Sequence, residues 1–110
     1  MLTDEMRYKL MRVLAANPSL SQRDIARELG VSLGRVNYCL QALMRKGLVK
    51  AKNFSNSKHK AGYMYLLTPR GLEQKATLAV RFLRAKTIEY EALRNEIRQI
   101  QEEAKESSGI

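Results

Sequence analysis

The side chains of this 110-residue chain best suited to specific contacts cluster between residues 32 and 46. Stepped at 100° per residue, that segment places Gly34, Arg35, Tyr38, Gln41 and Arg45 on one side. Val36, Leu40 and Leu43, with Cys39 beside them, fall on the other side and read as core. The first group suits the edges and backbone of a nucleic acid. Arg35 can fork onto guanine or grip a phosphate, Gln41 can reach an adenine edge, and Tyr38 can pack on sugar or a thymine methyl. Asn37 lies on the flank and can join them. Gly34 leaves room for close approach of the helix N-terminus, whose free amides favour phosphate. Any one of these residues alone reads more simply as part of a solvated helix face. Together, inside a helix-turn-helix, they read as a surface for DNA.

Other chemistries lack their residues. Cys39 is the only cysteine and His59 the only histidine, so no intrachain disulfide can form and no structural zinc site can be assembled. No metal or cofactor is expected. There is no Gly-rich phosphate loop and no nucleophile paired with a base, which argues against an enzyme. Asp24 and Glu28 stand four apart on one short helix, where capping and solvation account for them. Cys39, on the buried side of its helix, is expected to be a packing residue with a raised pKa and poor access.

Charge points the same way as the donor cluster. The formal net charge is +9, and residues 1–71 hold 13 Lys/Arg against 4 Asp/Glu while residues 72–110 hold 7 against 7. An excess confined to one segment is what a polyanion-binding surface needs, because each neutralised phosphate releases condensed counterion. The basic segment has no amphipathic helix with Trp/Phe anchors, so membrane binding is not expected. The start, MLTDEMRYKL, has no apolar export segment, and nowhere do eighteen apolar residues run together. The expected location is the cytoplasm, in association with the nucleoid.

The elements that must position these residues follow from caps and breakers. Thr3 caps a first helix that ends at Asn17-Pro18. Ser21-Gln22-Arg23-Asp24 reads as a shortened capping box for a second, two-turn helix with Ile25, Ala26 and Leu29 inward, closed by Gly30. Ser32 then caps the helix running to Lys46, with Gly47 closing it, so two capped helices flank a glycine turn. Beyond Gly47 the pattern becomes strand-like over 48–52 and 63–67, separated by a polar stretch at 55–60. That predicts a β-hairpin whose tip carries Asn56, Lys58, His59 and Lys60 toward a minor groove or its phosphates, with Lys50 and Lys52 adding backbone contacts. His59 reads equally as tip solvation. For Lys58 and Lys60 the DNA reading is stronger, because no acid lies between Glu28 and Glu73 to neutralise the surface.

Thr68-Pro69 opens a last helix that no breaker interrupts after Gly71 until about Lys105, roughly 50 Å of helix. Its apolar positions step by alternating fours and threes: Leu72, Ala76, Ala79, Leu83, Lys86, Tyr90, Leu93, Ile97, Ile100 and Ala104, with Lys86 alone breaking the series. An average of 3.5 residues per turn over several heptads implies a partner helix, most simply from a second copy. Leu83, Tyr90, Leu93, Ile97 and Ile100 are therefore the expected dimerisation residues. Val80 and Phe82 widen the stripe near its start, which suggests packing on the chain's own domain near Met6, Leu10 or Val13. Parallel pairing would let Glu89 meet Arg94 of the other chain, and antiparallel pairing would oppose glutamates. Exposed pairs are worth under about 1 kcal/mol, so this favours parallel pairing only weakly and domain geometry can override it.

The run LSQRDIARELGVSLGRVNYCLQALMRKGLVKAKNF, the hairpin through GYMYLLTPRG and the basic stretch KATLAVRFLRAK resemble the MarR-type regulators associated with bacterial exopolysaccharide gene clusters. The resemblance spans roughly residues 8–105. It implies a bacterial winged-helix transcription factor, targets among exopolysaccharide biosynthesis genes, and a dimer. Larger members of that family carry extra helices that build a small-ligand pocket; here one long C-terminal helix stands in their place, and no effector is assigned.

The expected fold is α-rich (α+β), a winged helix-turn-helix with a two-stranded β wing and one long C-terminal dimerisation helix. It divides into a DNA-binding domain (residues 1–71), a coiled-coil-like helix (72–106) and a disordered tail (107–110). The expected partners are a second copy and double-stranded DNA carrying a pseudo-palindromic site, with half-sites about 10–11 bp or a multiple apart. Arg35, Tyr38 and Gln41 would set specificity, with Ser32, Arg45, Lys58 and Lys60 on phosphates. A protein-interaction adaptor built on the winged helix and coiled coil is the alternative. RNA binding is disfavoured by the lack of paired exposed aromatics on a sheet.

Overall fold

The computed structural model describes the backbone of residues 3–56 and 59–109 and the side chains of residues 3–53 and 63–109. The chain forms two compact units, Met1–Ala79 and Val80–Ile110. Element order is α1 (Asp4–Ala16), α2 (Gln22–Leu29), α3 (Leu33–Arg45), β1 (Val49–Asn56), β2 (His59–Leu67) and α4 (Pro69–Ser108).

In the first unit every short helix starts at a capping side chain. Thr3 accepts the Met6 N–H at 3.1 Å, and Ser21 and Asp24 form a reciprocal capping box. Ser32 accepts the Arg35 N–H at 3.1 Å. Each such bond satisfies an amide that the helix itself cannot, at about 1 kcal/mol per cap. Gly30, at φ +68°, ends α2 in the left-handed conformation, so α3 begins after a two-residue turn. The apolar faces of these helices meet in one core: Leu10, Met11 and Leu14 from α1, Ile25 from α2, and Val36, Cys39, Leu40 and Leu43 from α3. Leu48, Val49 and Tyr65 close it from the wing.

Strands β1 and β2 pair antiparallel from Val49↔Leu67 to Phe54↔Gly62 and again at Asn56↔His59, with a register irregularity between Phe54 and Asn56. The hairpin is longer than its apolar alternation predicts. His59 and Lys60, expected in the tip, lie in β2, because backbone pairing continues through polar residues and the irregularity absorbs the extra one. Lys58 lies outside the described residues, as do the side chains of Asn56, His59 and Lys60. The Tyr65 N–H donates to Pro18 O at 3.1 Å, tying β2 to the segment between α1 and α2.

The start of α4 locks onto the wing root. Thr68 donates its backbone N–H to Leu48 O at 3.0 Å and its hydroxyl to Gly47 O at 2.6 Å, and its Oγ1 accepts the Gly71 N–H at 3.0 Å. Gly71 is buried against the Leu48 carbonyl, leaving no space for a side chain. One turn pair further on, Leu78 is 1% exposed and completes the core. This corrects the sequence reading, which assigned the packing to Val80 and Phe82; Phe82 is half-buried. Val80 stands two residues on, about 200° around the helix, and is 56% exposed.

In the second unit α4 continues without a break to Ser108, whose hydroxyl donates to Lys105 O at 3.1 Å, and Gly109 follows at φ +71°. The tail expected at 107–110 is thus helical through Ser108, since serine alone does not break a helix already propagating; Ile110 lies outside the described residues. Leu83, Tyr90, Leu93, Ile97 and Ile100 are all exposed. No helix of the described residues is long and apolar enough to cross a membrane.

Candidate nucleic-acid interface

Helix α3 sorts its side chains as its periodicity requires. Val36, Cys39, Leu40 and Leu43 are fully buried, whereas Leu33, Gly34, Arg35, Asn37, Tyr38, Gln41 and Arg45 are exposed. Gly34, Tyr38, Gln41 and Arg45 form one narrow stripe at four- and three-residue steps, with Arg35 and Asn37 on opposite flanks. An added Cβ at Gly34 would meet nothing within 4 Å, so the glycine leaves an open gap at the head of the stripe rather than relieving a clash within the chain.

Two of the predicted contact residues carry structural work as well. The Ser32 oxygen is occupied as the α3 cap, which leaves its O–H proton to donate outward. Asn37 Nδ2 donates to Gln22 Oε1 at 3.2 Å, and Gln22 Nε2 donates to the Tyr65 hydroxyl at 3.0 Å. This chain of bonds joins α3, α2 and β2, holding α3 against the wing. Asn37 is thereby turned toward α2, which weights it toward positioning. Gln22 and Tyr65 were missed because the sequence shows Gln22 only inside a capping box and Tyr65 only in a strand; residues 43 positions apart meet through tertiary folding alone.

The electrostatics favour an anion at this face. Of the acids, Asp4 pairs with Arg7, Glu5 with Lys9 and Asp24 with Arg27, all along α1 and α2. Among the described residues none of Arg35, Arg45, Lys46, Lys50 and Lys52 has an ion-pair partner, and all five are exposed. Cationic side chains left uncompensated around a donor-rich helix are suited to phosphate and base-edge contacts. Burial pushes the Cys39 thiol up, with the Arg35 charge pulling partly back, so Cys39 is a core residue beneath the exposed stripe of α3.

These features make the first unit a winged helix-turn-helix: three helices, the third presenting an open polar stripe, followed by a two-stranded wing. Residues 3–50 match the family model described as winged helix-turn-helix DNA-binding. The fold is also that of solved regulators. The PcaV transcriptional regulator from Streptomyces coelicolor, in complex with its natural ligand, superposes with a TM-score of 0.63 at 22% identity, covering 87% of this chain and 72% of that one. A MarR/EmrR family transcriptional regulator from Acinetobacter sp. ADP1 gives 0.60 at 19% identity, over 84% and 75% of the two chains. The S. aureus MepR–DNA complex gives 0.63 at 22% identity, over 79% and 62%. Comparison with curated proteins by sequence gives no match.

Proposed function

We propose that this chain is a MarR-type transcriptional regulator that binds double-stranded DNA as a homodimer. The observation that carries the reading is the stripe of exposed donors on α3, framed by basic side chains with no ion-pair partner among the described residues. Arg35, Tyr38 and Gln41 read base edges, while Ser32, Gly34 and Arg45 meet the backbone and Asn37 supports the helix. Lys58, Lys60 and His59 act from the wing. MepR has the same fold and its structure is a complex with DNA, which supports placing α3 in the major groove. The exposed α4 stripe is the self-association surface, and the site read is pseudo-palindromic. The protein works in the cytoplasm on the nucleoid. Exopolysaccharide biosynthesis genes are the first targets to examine.

The test is fluorescence anisotropy on DNA from the gene's own upstream region, on scrambled DNA and on RNA, over a salt series. Tight, steeply salt-dependent binding that prefers its own DNA is expected. Arg35→Ala should cost about 1–3 kcal/mol and relax sequence preference, whereas Lys60→Ala should weaken all sequences alike and flatten the salt slope. Weak binding indifferent to sequence and to Arg35 would overturn the proposal in favour of an adaptor role.

A further inference from the structure

We infer that Leu33 is a specificity-determining residue that packs on the C5-methyl group of a thymine in the major groove; this rests on the DNA-binding reading above and adds one apolar base contact to it. The first observation is an apolar side chain left out of the core. Leu33 opens α3 directly after the Ser32 cap and is 43% exposed. It belongs neither to the buried core nor to the half-buried apolar residues packed against that core. Leu40, seven residues on and only about 20° away around the helix, is fully buried. The apolar line along this side of α3 thus leaves the core at the first turn.

The second observation is that nothing in the helix start itself calls for leucine at this position. Capping is supplied by Ser32, which accepts the Arg35 N–H at 3.1 Å. The apolar brace of a helix start joins the residue before the cap to the fourth helical residue. Those two places hold Val31, which packs against the core, and Val36, which is fully buried. Beside Leu33, a Cβ added at Gly34 would meet nothing within 4 Å, so the head of the helix is open to a base edge. Asn37, one turn further along the same flank, is held by its bond to Gln22 at 3.2 Å. What this flank offers at the head of α3 is therefore an apolar surface.

The chemistry of the groove selects what that surface meets. Single exposed leucines are ordinary on protein surfaces. This one stands in the first turn of the helix read as entering the major groove, where side chains reach base edges. Thymine alone presents an apolar group on that edge; the other bases present donors and acceptors there. A leucine laid on a donor or acceptor strips it of water and returns no hydrogen bond. Leu33 accordingly favours thymine and disfavours cytosine, which lacks the methyl and carries an amino donor.

The experiment replaces thymine by deoxyuridine in DNA bound by the full chain. Footprinting locates the bound segment within the gene's own upstream region, and each of its thymines is then changed singly to deoxyuridine, which lacks only the methyl. Anisotropy titration of the parent protein should show a loss of about fourfold at one thymine of a half-site, as expected for uncovering one methyl group. Leu33→Ala should lose that sensitivity and keep any other, whereas Leu33→Met, which restores an apolar side chain, should retain it. Thermal melting of both variants checks that they are folded. A parent protein that prefers its own DNA yet is indifferent to deoxyuridine at every position overturns the role of Leu33. So does a Leu33→Ala variant as sensitive as the parent at every thymine, which would assign the methyl contact to another side chain, Tyr38 first. Both results leave the DNA-binding reading standing. A parent protein with no preference for its own DNA overturns both.

Discussion

Gly71→Ala separates two opposite expectations about the joint between wing and long helix. Helix propensity alone says that replacing a glycine inside a helix with alanine stabilises by up to about 1 kcal/mol. The packing says otherwise. A Cβ at Gly71 would overlap the Leu48 carbonyl oxygen and stand 3.1 Å from its carbon, and both are backbone atoms that no rotamer change can move. Leu48 is only 5% exposed, and its oxygen also accepts the Thr68 N–H at 3.0 Å. Forcing a methyl into such a contact costs about 1–3 kcal/mol, and stretching the Thr68 bond adds about 0.5–1.5 kcal/mol. Against the propensity gain, the net is a loss of about 2 kcal/mol, or roughly 10 °C in melting temperature for a domain of this size. Thermal and urea unfolding of Gly71→Ala beside Gly34→Ala gives the comparison. Gly34 has nothing within 4 Å of an added Cβ, so its alanine variant should unfold at or slightly above the parent. A Gly71→Ala protein as stable as the parent would refute the reasoning that the wing root and α4 are locked backbone to backbone.

Leu78→Ala, which hollows out a residue 1% exposed, should cost about 2–5 kcal/mol, whereas Leu93→Ala should leave monomer unfolding within about 0.5 kcal/mol of the parent and weaken the concentration dependence of the melting temperature. Equal losses of stability in both would remove the distinction between core and association faces. Native Cys39 should resist alkylation and react fully only on unfolding. Because burial raises its pKa, the stability tied to the neutral thiol is present at neutral pH and falls away as alkaline pH ionises the unfolded chain first; Cys39→Ala should lose that alkaline slope in urea titrations.

What the sequence determined by itself was the local grammar of the fold and which side of α3 stays exposed. Thr3, Ser21, Ser32, Gly30 and Gly47 mark helix ends through interactions within a few residues, and the structure places them there. Periodicity likewise separates Arg35, Tyr38 and Gln41 from Val36, Leu40 and Leu43, because a helix has one rotation per residue whatever surrounds it. The sequence did not reveal which of two apolar faces of α4 the chain keeps for itself. Both are apolar, and only docking through Thr68 and Gly71 onto Leu48 selects Leu78 for the core; Leu83 and Leu93 are exposed. Nor could it show that Asn37, Gln22 and Tyr65 form one chain of hydrogen bonds or that β1 and β2 pair past their apolar residues. Those features depend on groups distant in sequence meeting at hydrogen-bond range, which only the folded backbone brings about.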